Sequence, residues 1–170
     1  MTWTSPAPDP VDGPTTGDDR ALLEGYLAWQ RATLLNICAG LPAEQLAARP
    51  VPPSTLSLLG LVRHLAKVER IWLRSRVAHE DVPALYGGPG AAGDFDEVSA
   101  DRAQEEVEQL REEWRLADAA VRDLPFTAEL EVHGEVWSLR MVYVHLIGEY
   151  ARHNGHADLL RQAIDGVVGR

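Results

Sequence analysis

Residues 138–166 read SLRMVYVHLIGEYARHNGHADLLRQAIDG, and this stretch decides the fold. Ser138 can cap a helix and Gly166 can end one. Between them Leu139, Val142, Leu146, Glu149, His153, His156, Leu160 and Ile164 recur in steps of three or four, so they share one helical face. That stripe is apolar at both ends and polar in its middle. A carboxylate facing a bundle core needs a partner, because burying an uncompensated charge is costly. Glu149 therefore points to something of opposite charge beside it.

Working outward from this helix, three more helical segments precede it. Leu22, Leu23, Tyr26, Leu27, Trp29, Leu34, Leu35 and Ile37 predict a first helix from Asp18 to Ala39-Gly40. Pro50, Pro52 and Pro53 bar any helix from crossing them. Ser54 or Thr55 is then expected to cap a second helix through Leu58, Leu61, Val68 and Trp72 to about Val77. The glycines of Tyr86–Gly93 make that segment a loop, expected over one end of the bundle. Ser99 is the expected cap of a third helix through Val107, Leu110, Trp114, Leu116 and Val121, stopped by Pro125. Residues 126–137 alternate loosely around Gly134 and are expected as a structured loop, with a hairpin-like excursion as the alternative. Residues 1–17, with Pro6, Pro8, Pro10 and Pro14, are expected as a flexible leader outside the fold. The fold class is all-α, a four-helix up-and-down bundle over residues 18–170.

Composition excludes several functions. A chain of 170 residues, 45% apolar, can bury one sizeable core as a single domain. Its 26 acidic against 16 basic residues give a formal charge of −10, which opposes binding to nucleic acid or an anionic membrane. No run approaches the roughly 18 apolar residues of a membrane span. Cys38 is the only cysteine, so an intramolecular disulfide is ruled out and a reducing, cytoplasmic home is expected. The N-terminus has neither the basic start nor the apolar stretch of a secretion signal.

The second helix supplies the expected partner for Glu149. Leu61, His64, Val68 and Ile71 form its inward stripe, so His64 faces the same interior. Glu149 and His153 are four residues apart on one face and can grip a single ion together. With His64 they make a metal set of two imidazoles and one carboxylate, which leaves coordination positions open for chemistry. Zinc suits the set first, with nickel(II) or iron(II) as alternatives. His156, one turn further, is the candidate catalytic proton acceptor, with a fourth ligand or a supporting donor as its other roles. His145 lies beside the stripe and is expected as a supporting or surface residue. His79 and His133 are read as solvated, and Cys38 as a small core residue.

Leu61-Val62-Arg63-His64-Leu65 together with Glu149-Tyr150-Ala151-Arg152-His153-Asn154-Gly155-His156-Ala157-Asp158 resembles the DinB-like superfamily. Many of its members use three histidines; here Glu149 replaces the first histidine of the last helix's pair. The resulting His, Glu, His set is similar to that of mycothiol-dependent maleylpyruvate isomerases. Trp137-Ser138-Leu139-Arg140 and the 152–158 segment look like the mycothiol S-transferase subgroup. The resemblance implies a metal-dependent thiol S-transferase whose co-substrates are a small-molecule thiol such as mycothiol and an electrophile. A homodimer is compatible with it. Three other functions remain open: a hydrolase using metal-bound hydroxide, a non-catalytic metal-braced binding or stress protein, and an iron(II) oxygenase.

Overall fold

The computed structural model describes residues 3–168, so the ends of the expected leader and of the 18–170 domain lie outside the described residues. Four long helices pack into one bundle. Helix α1 spans Asp19–Cys38 and is capped by Asp18, whose carboxylate accepts from the Ala21 amide at 2.8 Å. Helix α2 spans Leu58–Glu69 and continues without a break as a π-helix over Arg70–Val77. Its cap is Ser57, not Ser54 or Thr55: the Ser57 hydroxyl accepts from the Gly60 amide at 3.0 Å. Helix α3 spans Ala103–Val121 after a single 3-10 turn at Ala100–Arg102, and the Ser99 side chain makes no capping bond. Helix α4 spans Leu139–Asp165 between the Ser138 cap and Gly166, which adopts a left-handed φ of 79°.

Packing joins α1 along α4 and α2 along α3, with α2 also meeting α4. Their apolar faces close over a core that includes Leu34, Leu61, Leu65, Leu110, Leu146 and Tyr143, all 2% exposed or less. Residues 126–137 contain a true hairpin, β1 (Glu129–Val132) antiparallel to β2 (Glu135–Ser138). His133 and Gly134 form its two-residue turn with φ of 52° and 83°, the paired positive values that join strands of native twist. Leu130 and Val132 face inward and leave the charged positions outside.

The leader makes contacts with the bundle. It forms no helix, yet Ser5 is buried, its amide donates to Leu41 O at 2.9 Å and its carbonyl accepts from Gly40 N at 2.8 Å. Trp3 packs against the core, and Pro8 and Val11 wall a cavity of about 290 Å³ over Arg31 and Trp114. Proline limits the leader's freedom before folding, which lowers the entropy cost of this docking. Among the described residues, no helix is long and apolar enough to cross a membrane.

Candidate metal centre

His64 from α2 meets Glu149 and His153 from α4, and one ligand atom from each lies within 4.8 Å of the other two. Both histidines present Nε2 to the same carboxylate oxygen: His64 Nε2 is 3.9 Å and His153 Nε2 3.5 Å from Glu149 Oε2. The other ring nitrogens are held from behind. His64 Nδ1–H donates to Asp94 Oδ2 at 2.8 Å, and His153 Nδ1 lies 3.4 Å from His156 Nδ1. A carboxylate can only accept here, so the Asp94 bond fixes the His64 tautomer and leaves Nε2 with a free lone pair. Aromatic contacts hold the plane of the ring, which stacks on Phe95 at 4.9 Å and meets His153 edge-on at 4.7 Å.

The glycine-rich loop builds this support. Arg63 donates to the carbonyls of Asp94 (3.0 Å) and Gly93 (2.8 Å), and Lys67 Nζ donates to Ala91 O (2.6 Å) and Asp94 Oδ1 (3.2 Å). These bonds lay the loop along α2 beside His64. Gly93 permits the approach, because a Cβ there would stand 2.9 Å from Tyr86 O. Asp94 is 2% exposed and carries no signal of its own in the sequence; only the glycines around it mark the segment.

Of the three residues, His64 lines a cavity of about 500 Å³ that extends over Trp72 and Arg76. The Glu149 side chain is 24% exposed and not in a dry core, contrary to the expectation from its stripe. No arginine or lysine among the described residues pairs with it, so its charge is left for the two imidazoles or a cation. Burial, and after it the neighbouring His64, lowers the His153 pKa to about 4, so at neutral pH this ring is an unprotonated donor. Metal ligation needs that form. Two neutral-capable imidazole nitrogens, one carboxylate and rear hydrogen bonds thus fit a divalent ion with open positions.

The remaining histidines divide plainly. His156 abuts His153 and does not border the cavity. His145 lies between Trp72 (4.4 Å) and Trp137 (5.6 Å), and burial lowers its pKa. His133, at the hairpin turn, lines the cavity, which its loop position did not suggest. Cys38 is fully buried with its thiol pushed up to about 12, so it is a core residue without nucleophilic character.

Fold and site together define a helical bundle with a cluster of two histidines and one carboxylate that could hold a metal ion beside a cavity. The chain belongs to the mycothiol-S-transferase family, a DinB-like family whose model matches residues 22–166. No curated protein matches it significantly.

Proposed function

We propose that this protein is a zinc-dependent S-transferase that joins mycothiol, or a closely similar small thiol, to a small electrophile. The observation that carries this reading is the convergence of His64 Nε2 and His153 Nε2 on Glu149 Oε2 beside an open cavity, in a chain of this family. A divalent ion held by those three residues would supply the positive charge that keeps a thiol ionised at neutral pH, where its ordinary pKa near 8.5 leaves it mostly protonated. Nickel(II) and iron(II) satisfy the same donors.

The chain's own residues do the rest. Asp94 and His156 aim the two imidazoles through their Nδ1 atoms, which holds the donor set in register before substrate arrives. His156 is better placed for this positioning role than for accepting the thiol proton, since it faces His153 and not the cavity. The proton leaves to solvent through the open side of the site. The thiol sulfur then forms a C–S bond at the electrophilic carbon, and the leaving group departs with the electron pair of the broken bond. Trp72, Val68 and Ile71 give the electrophile an apolar wall.

The test is a screen of zinc-loaded protein with mycothiol, bacillithiol and glutathione against one generic electrophile, with thioether measured by mass spectrometry. Thioether should form with one thiol and vanish in His64→Ala. Electrophile consumption independent of thiol, giving the hydroxylated product, would replace this reading with hydrolysis.

A further inference from the structure

Helix α2 and its π-helical continuation carry four arginines, and three of them are bound to carboxylates. Arg63 pairs with Glu106, Arg70 with Glu113 at 2.7 Å, and Arg74 with Glu80 at 2.7 Å and Glu113 at 3.0 Å. Lys67 on the same helix pairs with Asp94. Arg76 is the exception: no ion pair or hydrogen bond joins it to any described residue, and its guanidinium lies 4.3 Å over the Trp72 ring. Burial without a compensating anion lowers its pKa.

Its location gives this exception a use. Arg76 lines the same cavity as His64 and Trp72. Side chains on a helix lean toward its N-terminus, so Arg76 leans back along α2 toward His64, and its contact with Trp72 four residues earlier shows that direction. His145 packs against Trp72 at 4.4 Å and stands one helical turn before Glu149. The guanidinium and the candidate metal centre are thus separated by on the order of 10 Å, about two helical turns, with an indole surface between them. A half-buried planar cation beside an aromatic face suits a carboxylate on a flat apolar body, because guanidinium binds carboxylate through two parallel hydrogen bonds.

We propose that Arg76 binds the carboxylate of the electrophile and that this site selects anionic aromatic electrophiles over neutral ones. The proposal rests on the S-transfer reading for the reaction, but the binding itself can be measured without turnover. Calorimetric titration of metal-free protein with 4-methylbenzoate and with 4-methylbenzamide isolates the anion, since the two differ little in shape. Wild type should bind the benzoate at least about 10-fold more tightly, the effect of one charged hydrogen-bonded contact. Arg76→Gln should abolish that preference, and Arg76→Lys should keep part of it. Among the described residues Arg76 makes no ion pair or hydrogen bond and only stacks on Trp72, so neither variant is expected to unfold, which circular dichroism checks. Equal affinity for the two ligands in wild type, or an unchanged preference in Arg76→Gln, would overturn the proposal. In metal-loaded protein with the active thiol, the ratio of kcat/KM for 4-(chloromethyl)benzoate to that for its methyl ester should fall about 10-fold in Arg76→Gln. Turnover of neither compound would count against S-transfer, with the calorimetry still deciding Arg76.

Discussion

Asp94→Asn is the substitution that tests the metal centre most sharply, because it changes one atom and leaves every candidate ligand in place. Asp94 Oδ2 accepts from His64 Nδ1–H at 2.8 Å while Oδ1 accepts from Lys67 Nζ at 3.2 Å. Asparagine has one oxygen and one NH2 group for these two donors. If its oxygen keeps His64, the NH2 faces the Lys67 ammonium, donor against donor. If its oxygen keeps Lys67, the NH2 donates to His64 Nδ1, which moves the imidazole hydrogen to Nε2 and removes the lone pair a metal would use. Removing the group behind a ligating histidine costs roughly 10- to 100-fold in metal affinity, about 1.4–2.7 kcal/mol. Competition against a chromophoric zinc chelator measures the difference directly. Asp96→Asn, an exposed change on the same short turn, should bind zinc as wild type does. Wild-type zinc affinity in Asp94→Asn, alongside loss in Glu149→Ala, would show that His64 does not depend on this bond.

Three further outcomes follow from the same geometry. His64→Ala, Glu149→Ala and His153→Ala should each lose most bound zinc by elemental analysis, whereas His145→Ala, whose ring lies between two tryptophans, should keep it. In metal-free protein the His153 pKa is held at about 4 against the ordinary 6.5, so between those values the unfolded chain binds more protons than the folded one. Stability from this group is therefore complete above pH 6.5 and is lost as pH falls toward 4, by roughly 3 kcal/mol at most; urea midpoints from pH 4.5 to 7 should be flatter in His153→Gln. Glu69→Ala should destabilise the bundle by about 3–5 kcal/mol in urea unfolding, since it strips the buried Arg31 of a bidentate partner and the Tyr150 hydroxyl of its acceptor. A loss below about 1 kcal/mol would mean that Asp118 alone satisfies Arg31.

The convergence of the three candidate ligands was legible because each obeys a local rule. A period of 3.6 puts Glu149 and His153 on one face whatever surrounds them, and the stripe of Leu61, His64 and Val68 does the same on α2. Asp94 obeys no such rule. It lies 30 positions from His64, and it reaches that ring only because Arg63 and Lys67 capture the carbonyls of Ala91, Gly93 and Asp94. Long polar side chains on a helix give no periodic sign of where they will land. The π-helical turns at Arg70–Val77 were invisible for a similar reason, since i→i+5 bonding such as Ala78 N to Leu73 O leaves the sequence looking like an ordinary helix. The contacts of the leader were not legible because proline content marks an absence of helix, and that is a different property from an absence of contact. Ser5 docks through backbone bonds to Gly40 and Leu41, which no side-chain pattern announces.

Neighbouring residues on α4 show why the candidate metal centre and the stability of the bundle are separable. Tyr150 is fully buried, accepts from Trp114 Nε1 at 2.7 Å and donates to Glu69 Oε1 at 3.0 Å. Glu69 in turn takes Arg31 Nε and Nη2 at 2.7 and 2.8 Å, so this buried charge is neutralised and hydrogen-bonded by protein alone. Glu149, one position before Tyr150, is 24% exposed and among the described residues pairs only with the imidazoles of His64 and His153. The two carboxylates thus face opposite requirements. Glu69 would gain nothing from an added cation, while Glu149 lacks any compensating charge until one arrives. Chelation should therefore lower the melting temperature by the mass-action contribution of the metal without unfolding the bundle, because the Arg31–Glu69–Tyr150 network does not pass through the site. A chain that lost its cooperative transition on chelation would instead require the ion as a folding element, and Glu149 would then belong to the core that its 24% exposure argues against.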